Sequence, residues 1–312
     1  MTDTHTPARW GIGIIGLGVM GWRMAQALDE HPAFRVVAGF DPAPQAAARG
    51  VPLLASAEAV AAHPDVQCVY IASPPAWHRA HVEAVAAARK PVFCEKPLAA
   101  SVAEAQACCD AIRASGVRAG VNFPFATSPA ALELRRLVAE QALGTVQRAQ
   151  LTLRFAQWPR SWQRDAAGWL AGPQQGGFTR EVVSHFLFLA GRLFGRGVIE
   201  SVALRRGKAG TEESLAATIC YGDAVLAIDA EVSGSADDFN HFEVVGGQGR
   251  AALTDWQRLD YGGRLSERVN STPNQLDGLR RMLVGELEHG LATPEEAADV
   301  VRLVEAMLAA SP

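Results

Sequence analysis

The 312-residue sequence is about half hydrophobic and one-fifth charged, and its 33 acidic residues against 29 basic ones give a formal net charge of −4. That much apolar material suffices for two packed domains, while a mildly acidic chain with no basic run interleaved with aromatics excludes a nucleic-acid partner. The five cysteines, Cys68, Cys94, Cys108, Cys109 and Cys220, form no C-x-x-C pair, which excludes a zinc knuckle or a disulfide framework and fits reduced thiols. The opening MTDTHTPARW lacks a basic region followed by an apolar run, so no secretory leader is expected and the cytoplasm is the expected location. Val182 to Phe194, the most apolar helix candidate, is interrupted by His185 and Arg192 and falls short of the about 20 residues that a bilayer span takes.

In chain order, Trp10 to Gly21 reads WGIGIIGLGVMG, a short apolar run that ends in Gly16, Gly18 and Gly21 at G-x-G-x-x-G spacing and then enters a helix through MAQAL. Strand, glycine turn and helix in that order let backbone N–H groups approach a pyrophosphate, with the positive end of the helix dipole facing it. A second strand, Phe34 to Phe40, ends in Asp41, twenty positions after Gly21, where a carboxylate would accept hydrogen bonds from an adenosine ribose. Asp41-Pro42 alone would only open a turn. The complete order predicts a dinucleotide site. The same carboxylate would repel a 2′-phosphate, and no Arg or Lys follows until Arg49, so NAD is expected rather than NADP.

The alternation continues. Ala43 to Arg49 reads as helix, Val51 to Leu54 as a brief strand, Ala57 to Ala62 as helix, Val66 to Ser73 as a buried strand, Trp77 to Arg89 as helix and Pro91 to Glu95 as a strand. A helix from Val102 to Ala114 and a strand from Val117 to Phe123 complete a parallel, doubly wound sheet, whose ligands bind outside the carboxyl ends of the strands, where Gly16, Asp41, Ser73 and Glu95 fall. Pro124, Ser128 and Pro129 then punctuate the chain, placing a domain boundary at 123/124.

Beyond a helix at Ala130 to Gln141, alternating strands are expected at Val146 to Phe155, Ser201 to Arg206, Leu215 to Tyr221, Ala224 to Val232, Phe239 to Val245 and Arg250 to Thr254. Short turns such as Gly222-Asp223 and Gly246-Gly247 argue for antiparallel pairing. Two helices, Asn274 to His289 and Pro294 to Ala309, close the chain, so residues 124–312 predict an α+β domain with a large, mostly antiparallel open sheet. Helices on one side leave the other face uncovered, which predicts self-association through it.

The 29 basic residues include only three lysines, Lys90, Lys96 and Lys208, and a lysine, unlike an arginine, can lose its proton. Lys96 lies in Glu95-Lys96-Pro97, where the proline holds it extended at a strand end, aimed at the crevice in which a nicotinamide would lie. An ammonium there would polarise a carbonyl or stabilise a forming alkoxide, although a solvated lysine is the ordinary occupant of a strand end. His78, after Ser73-Pro74-Pro75-Ala76-Trp77, falls in the first turn of the next helix, where bonding to backbone or to a cofactor amide fits better than proton transfer.

Glu181 and His185, four apart in GGFTREVVSHFLFLAG, share a helix face. They read either as an ion pair or satisfied core histidine, or as a general base oriented by a carboxylate. Two ligands without a third do not make a metal site. Trp158, Trp162 and Trp169 would stack on a ring, lid the cleft or pack at a subunit interface.

Gly16 to Gly21, Asp41, IASPPAWH at Ile71 to His78, FCEKP at Phe93 to Pro97, GVNF at Gly120 to Phe123, GG-x(3)-E-x(3)-H from Gly176 to His185 and the tail TPEEAADVVRLVEAML together resemble the Gfo/Idh/MocA family, named for glucose-fructose oxidoreductase and inositol dehydrogenase. The resemblance spans nearly the whole chain. It implies an N-terminal Rossmann domain and NAD(P)-dependent oxidation or reduction of a sugar, polyol or related carbonyl compound, usually in dimers or tetramers.

It further implies that Lys96 is the catalytic lysine and His185 the catalytic histidine, with Glu181 standing where the family usually has aspartate. Cofactor contacts are expected from Gly16, Leu17, Gly18, Val19, Met20, Gly21, Asp41, Ser73, Pro74, Pro75, His78, Glu95, Lys96 and Asn122. Phe188 replaces a second aspartate and Pro124 an arginine, departures that suggest a more apolar pocket than a typical sugar site. Two other chemistries remain open, a non-catalytic dinucleotide-binding regulator and an enzyme that recycles NAD within one turnover to cleave a glycosidic bond.

Overall fold

In the computed structural model, which describes residues 9–310, five apolar runs of the N-terminal part become strands: β1 (Trp10–Ile15), β2 (Phe34–Phe40), β3 (Cys68–Ile71), β4 (Val92–Glu95) and β5 (Ala119–Asn122). They pair in parallel in the order β2-β1-β3-β4-β5. All four residues of β3 and of β4 are buried, as required of strands covered on both faces. The covering helices are α1 (Val19–Glu30), α2 (Ala57–Ala62), α3 (His78–Ala87) and α4 (Val102–Ser115). Ser56 caps α2 and Ser101 caps α4, each hydroxyl accepting a backbone N–H of the first turn, from Ala59 at 3.2 Å and from Glu104 at 3.3 Å. Successive crossovers leave β1 on opposite sides, so a crevice opens above the carboxyl ends of β1 and β3.

The strand expected at Val51 to Leu54 is reduced to a single bridge between Leu53 and Gly39. Pro52 has no N–H to donate, and the segment keeps only the bonds from Gly39 N to Pro52 O and from Leu54 N to Gly39 O, both 2.8 Å. The helix expected at Ala43 to Arg49 is a 3₁₀ segment, Pro44–Arg49.

The second half supplies α5 (Pro129–Ala139), β6 (Val146–Arg154), α6 (Ala167–Leu170), α7 (Ser184–Phe194), β7 (Val198–Arg206), β8 (Glu212–Tyr221), β9 (Ala224–Glu231), β10 (Phe239–Gly246), β11 (Gly249–Thr254), β12 (Arg258–Tyr261), β13 (Arg264–Leu265), α8 (Thr272–Val284) and α9 (Pro294–Leu308). Eight strands form one sheet in the order β13-β12-β11-β10-β6-β9-β8-β7, antiparallel except where β6 runs parallel to β9. Alternation along β6 buries Ala149, Leu151 and Leu153 against the helices and exposes Arg148 and Gln150 on the outer face. Strands β12 and β13 lie beyond the expected set. The hairpin into β12 turns at Asp255 and Trp256, both at positive φ (54° and 64°), a conformation usually signalled by Asn or Gly.

The two halves interpenetrate. Helix α8 returns to the parallel sheet, where Leu276, Leu279, Met282 and Leu283 share one cluster with Ile12, Met24 and Phe93. Ala292 then adds an antiparallel bridge beside Val121 of β5.

A second tie holds the rim of the crevice. The His78 ring is fully buried, with Nδ1 2.9 Å from the Pro97 carbonyl oxygen and Nε2 2.7 Å from that of Ser73; the neutral ring has one N–H, so it donates to one of these carbonyls and packs against the other, wedged between the loop after β3 and the loop after β4. Burial lowers its pKa to about 4, outweighing the two carbonyls that favour the imidazolium. The unfolded ring takes up a proton near its ordinary 6.5 while the folded ring stays neutral, so this contribution is complete above pH 6.5 and lost as pH falls toward 4. Urea titrations at both ends of that window are expected to differ by roughly 3 kcal/mol more in the parent protein than in a His78→Gln variant.

Candidate active site

The glycine turn joining β1 to α1 divides three tasks among its glycines. Gly16 sits at φ +93° with its Cα facing the β3 loop, and a Cβ there would lie 2.5 Å from Ser73 N. A Cβ on Gly21 would fall 1.9 Å from Gly16 O, so only glycine lets α1 pack this closely on the turn. Over Gly18 nothing lies within 4 Å, and the first turn of α1 carries no acidic side chain. The turn is therefore closed behind and open in front, with helix N–H groups at the opening, an arrangement that fits the diphosphate of a dinucleotide.

Asp41 pins this turn to the end of β2. Its Oδ2 accepts from Leu17 N at 2.6 Å, and its Oδ1 accepts from Ala43 N at 2.8 Å. Each carboxylate oxygen retains a lone-pair direction for a ribose hydroxyl. Leu17 itself is a core residue that contributes backbone, whereas Val19 and Met20 line the opening.

In front of the turn lies a cavity of about 390 Å³. The first half of the chain lines it with Ser73, Pro75, Glu95, Lys96, Asn122 and Pro124; the second contributes Arg160, Gln163, Glu181, His185, Asp238 and Trp256. Pro74 stands between two of these lining residues, while His78 is the buried brace behind them and does not face the cavity.

Within the cavity, Lys96 joins the two halves. Its Nζ donates to Glu181 Oε2 at 2.6 Å and to the Glu181 carbonyl at 2.8 Å, with the lysine side chain only 8% exposed. One ammonium N–H remains. Behind it, buried Glu95 accepts from the Tyr70 hydroxyl, from Asn122 Nδ2 at 2.7 Å and from Lys96 N at 3.2 Å. Burial raises the Glu95 pKa against those hydrogen bonds.

Glu181 sits in a π-helical turn, Thr179–Val183, that leads directly into α7. Gly177, at φ +94°, starts that turn, and a Cβ on it would meet Glu212 Oε2 at 2.1 Å. The expectation that Glu181 orients His185 is corrected. Its Oε1 accepts from Gln163 Nε2 at 3.1 Å and faces the Arg160 guanidinium at 3.5 Å, while Oε2 serves Lys96. An ammonium and a guanidinium outcompete a neutral imidazole for one carboxylate.

His185 occupies an aromatic cage instead. Phe123, Phe125 and Trp256 meet the ring edge-on at centroid distances of 5.8, 6.1 and 5.3 Å, and Nδ1 has no hydrogen-bond partner among the described residues. Burial, then the charges of Lys96 and Arg160, push its pKa well below the ordinary value, so the ring is neutral around pH 7.

Phe188 does not enter the cavity. Its ring stacks on Phe123 at 4.6 Å and buttresses the cage from behind, so the expectation that Phe188 makes the pocket apolar is also corrected. Pro124 does line it. Trp162 and Trp169 reach the cavity, whereas Trp158 packs on Phe155 and Phe178 and donates to Leu170 O at 3.2 Å.

Four residues absent from the sequence reading complete the site: Arg160, Gln163, Asp238 and Trp256. Arg160 donates to Asp238 Oδ2 at 2.6 Å, and Trp256 Nε1 donates to the same oxygen at 2.9 Å. Among the described residues no cluster of three or more His, Cys, Asp or Glu side chains is arranged to hold a metal, and no helix is long and apolar enough to cross a membrane.

Residues 10–123 match the oxidoreductase family with an NAD-binding Rossmann fold, and residues 131–252 match the GFO/IDH/MocA C-terminal domain. An inositol 2-dehydrogenase from Acidothermus cellulolyticus is 36% identical over 141 residues, 43% of this chain and 41% of that enzyme, so the match spans less than half of this relative. In three dimensions an oxidoreductase from Thermotoga maritima superimposes with a TM-score of 0.85 at 17% identity, covering 97% of this chain and 96% of that one. The WlbA dehydrogenase of Bordetella pertussis, solved with NADH and UDP-GlcNAcA, superimposes with a TM-score of 0.82 at 19% identity, covering 96% and 95%. By both of its domains, the chain belongs to the GFO/IDH/MocA oxidoreductase family.

Proposed function

We propose that this protein is an NAD-dependent dehydrogenase acting on a hydroxyl group of a neutral sugar or polyol. The observation that carries the reading is that Lys96 and His185, from opposite halves of the chain, line one cavity in front of the glycine turn. The inositol 2-dehydrogenase relative supports the substrate class. Neutrality follows from the pairing of the buried cations. The two buried cations of the cavity are committed, Lys96 to Glu181 and Arg160 to Asp238 and Glu181, which favours a neutral ring beside them, while Arg23 lies at the exposed side over the Trp162 ring. Trp162, Trp169 and Trp256 add aromatic surface to the lining, which suits the C–H surface of a ring, with the Trp162 ring itself held under the Arg23 and Arg160 guanidinium groups.

When bound, NAD supplies the hydride acceptor. In oxidation the neutral imidazole of His185 accepts the hydroxyl proton, while the remaining N–H of Lys96 stabilises the negative charge that grows on the same oxygen. The pairing with Glu181 fixes the lysine beside the cavity, and the cage of Phe123, Phe125 and Trp256 excludes water. Reduction uses the same groups in reverse. Asp41 supports NAD over NADP through repulsion of a 2′-phosphate. The five free thiols, four of them buried, support a reducing compartment such as the cytoplasm.

Self-association is proposed through the outer face of the eight-stranded sheet. Ala216 and Ala227 are exposed there, and Ala227 pairs with Gln150 on one side and Thr218 on the other, giving a strip of small or uncharged side chains that a second sheet can approach.

Four measurements test these statements. Lys96→Met is expected to lower kcat by about 10³-fold or more on the best neutral polyol, with the dissociation constant for NAD held within about twofold. Wild-type protein that binds NAD yet forms no NADH on a panel of neutral sugars and polyols would identify a regulator instead. Asp41→Ala is expected to lower the NAD-over-NADP preference in kcat/KM by about tenfold or more. Sedimentation velocity is expected to give a dimer or larger species that Ala227→Arg converts to monomer, and a monomeric parent protein would overturn the interface.

A further inference from the structure

Arg160 lies on the loop between β6 and α6, outside the motifs quoted for the family, yet its side chain is only 5% exposed and its guanidinium is shared among three acceptors. Nη1 donates to Asp238 Oδ2 at 2.6 Å, Nε to Gln163 Oε1 at 3.1 Å, and Nη2 faces Glu181 Oε1 at 3.5 Å. From this hub two chains of contact lead to the two groups of the proposed reaction. One runs through Glu181, whose other oxygen holds Lys96 at 2.6 Å. The other runs through Asp238, which accepts from Trp256 Nε1 at 2.9 Å, and the Trp256 ring in turn meets His185 edge-on at 5.3 Å.

We infer that Arg160 is the positioning residue that holds the Lys96 ammonium and the His185 imidazole in a fixed relation, through Glu181 on one side and through Asp238 and Trp256 on the other. The inference rests on the dehydrogenase reading for its consequence in turnover, but not for its geometry. A carboxylate gripped at one oxygen presents the other in a set direction; ungripped, Glu181 turns about its terminal torsion and the ammonium follows. The fork of a guanidinium is needed because three acceptors in different directions exceed what a single ammonium can hold at those positions. Trp256 depends on the hub for a further reason. It is a bulky residue at φ +64°, and its indole N–H is anchored by an aspartate that itself requires a buried cation.

The chain has three lysines, which makes the position of Lys96 readable without any substrate. Folded protein is treated with limiting acetic anhydride, and the acetylation rate of Lys96 is measured by mass spectrometry relative to exposed Lys208. Arg160→Gln is expected to raise the relative rate of Lys96 by about fivefold or more, approaching that of Glu181→Gln, since a loosened side chain is more accessible to the reagent. Arg160→Lys, which keeps the buried charge, is expected to fold and to give an intermediate rate. In turnover, Arg160→Gln is expected to lower kcat by about tenfold or more with NAD affinity unchanged, and ethylguanidinium is expected to restore part of the loss in Arg160→Ala.

Lys96 rates that stay at the wild-type value in both Arg160→Gln and Arg160→Lys would overturn the inference. So would a Glu181→Gln variant in which Lys96 is no more reactive than in the parent, because the hub would then have nothing to act through. A wild-type protein inactive on every neutral polyol would remove the dehydrogenase reading while the labelling ratios still decide the role of Arg160.

Discussion

The arrangement of the cleft depends on one ion pair that crosses between the two halves, Lys96 with Glu181. Both groups are largely withdrawn from water, so each would be costly there alone. The cost is offset because the lysine finds a carboxylate oxygen and a backbone carbonyl, and the carboxylate finds Gln163 and Arg160 in addition. Such a pair specifies geometry more than it adds stability. With the lysine at a strand end and the glutamate at the head of a helix, the cavity between them has little freedom in width.

On the dinucleotide side the determining constraint is steric. Gly16 and Gly21 are glycines because backbone occupies the space a side chain would take, and Gly18 because the space in front must stay open. Asp41 ties that turn to the neighbouring strand through the Leu17 N–H, so the carboxylate organises the loop even before any ribose is considered. The bonds of Asp41 also include the one to Ala43 N that an ordinary aspartate turn makes. Turn and recognition use the same two oxygens.

What was legible in the sequence was what is encoded within a few residues. The glycine spacing, the acid closing β2, the lysine before a proline at the end of β4 and the Glu-x-x-x-His run all reach the positions that strand ends and helix starts dictate. What was not legible depends on distant partners. The cavity lining by Arg160, Gln163 and Asp238 comes from loops with no distinctive local pattern, and Trp256 arrives through a hairpin whose left-handed residues are Asp and Trp rather than Asn and Gly. Helical spacing placed Glu181 and His185 on one face correctly but could not foresee that two cations, one from each half of the chain, would claim the carboxylate. Phe188 was misjudged for a similar reason, since a stacking partner in Phe123 turns it away from the cavity.

The return of α8 onto the parallel sheet bears on how the molecule is made. Residues that complete the hydrophobic layer beneath β1 and β4 are contributed by Leu276 through Leu283, and the bridge at β5 by Ala292. A nascent chain therefore emerges from the ribosome with its first sheet unfinished until α8 and Ala292 have been synthesised. Contacts of such long sequence separation carry a large loop-closure cost and delay consolidation. The glycine turn, which is synthesised long before α8, is expected to be among the last parts to become rigid.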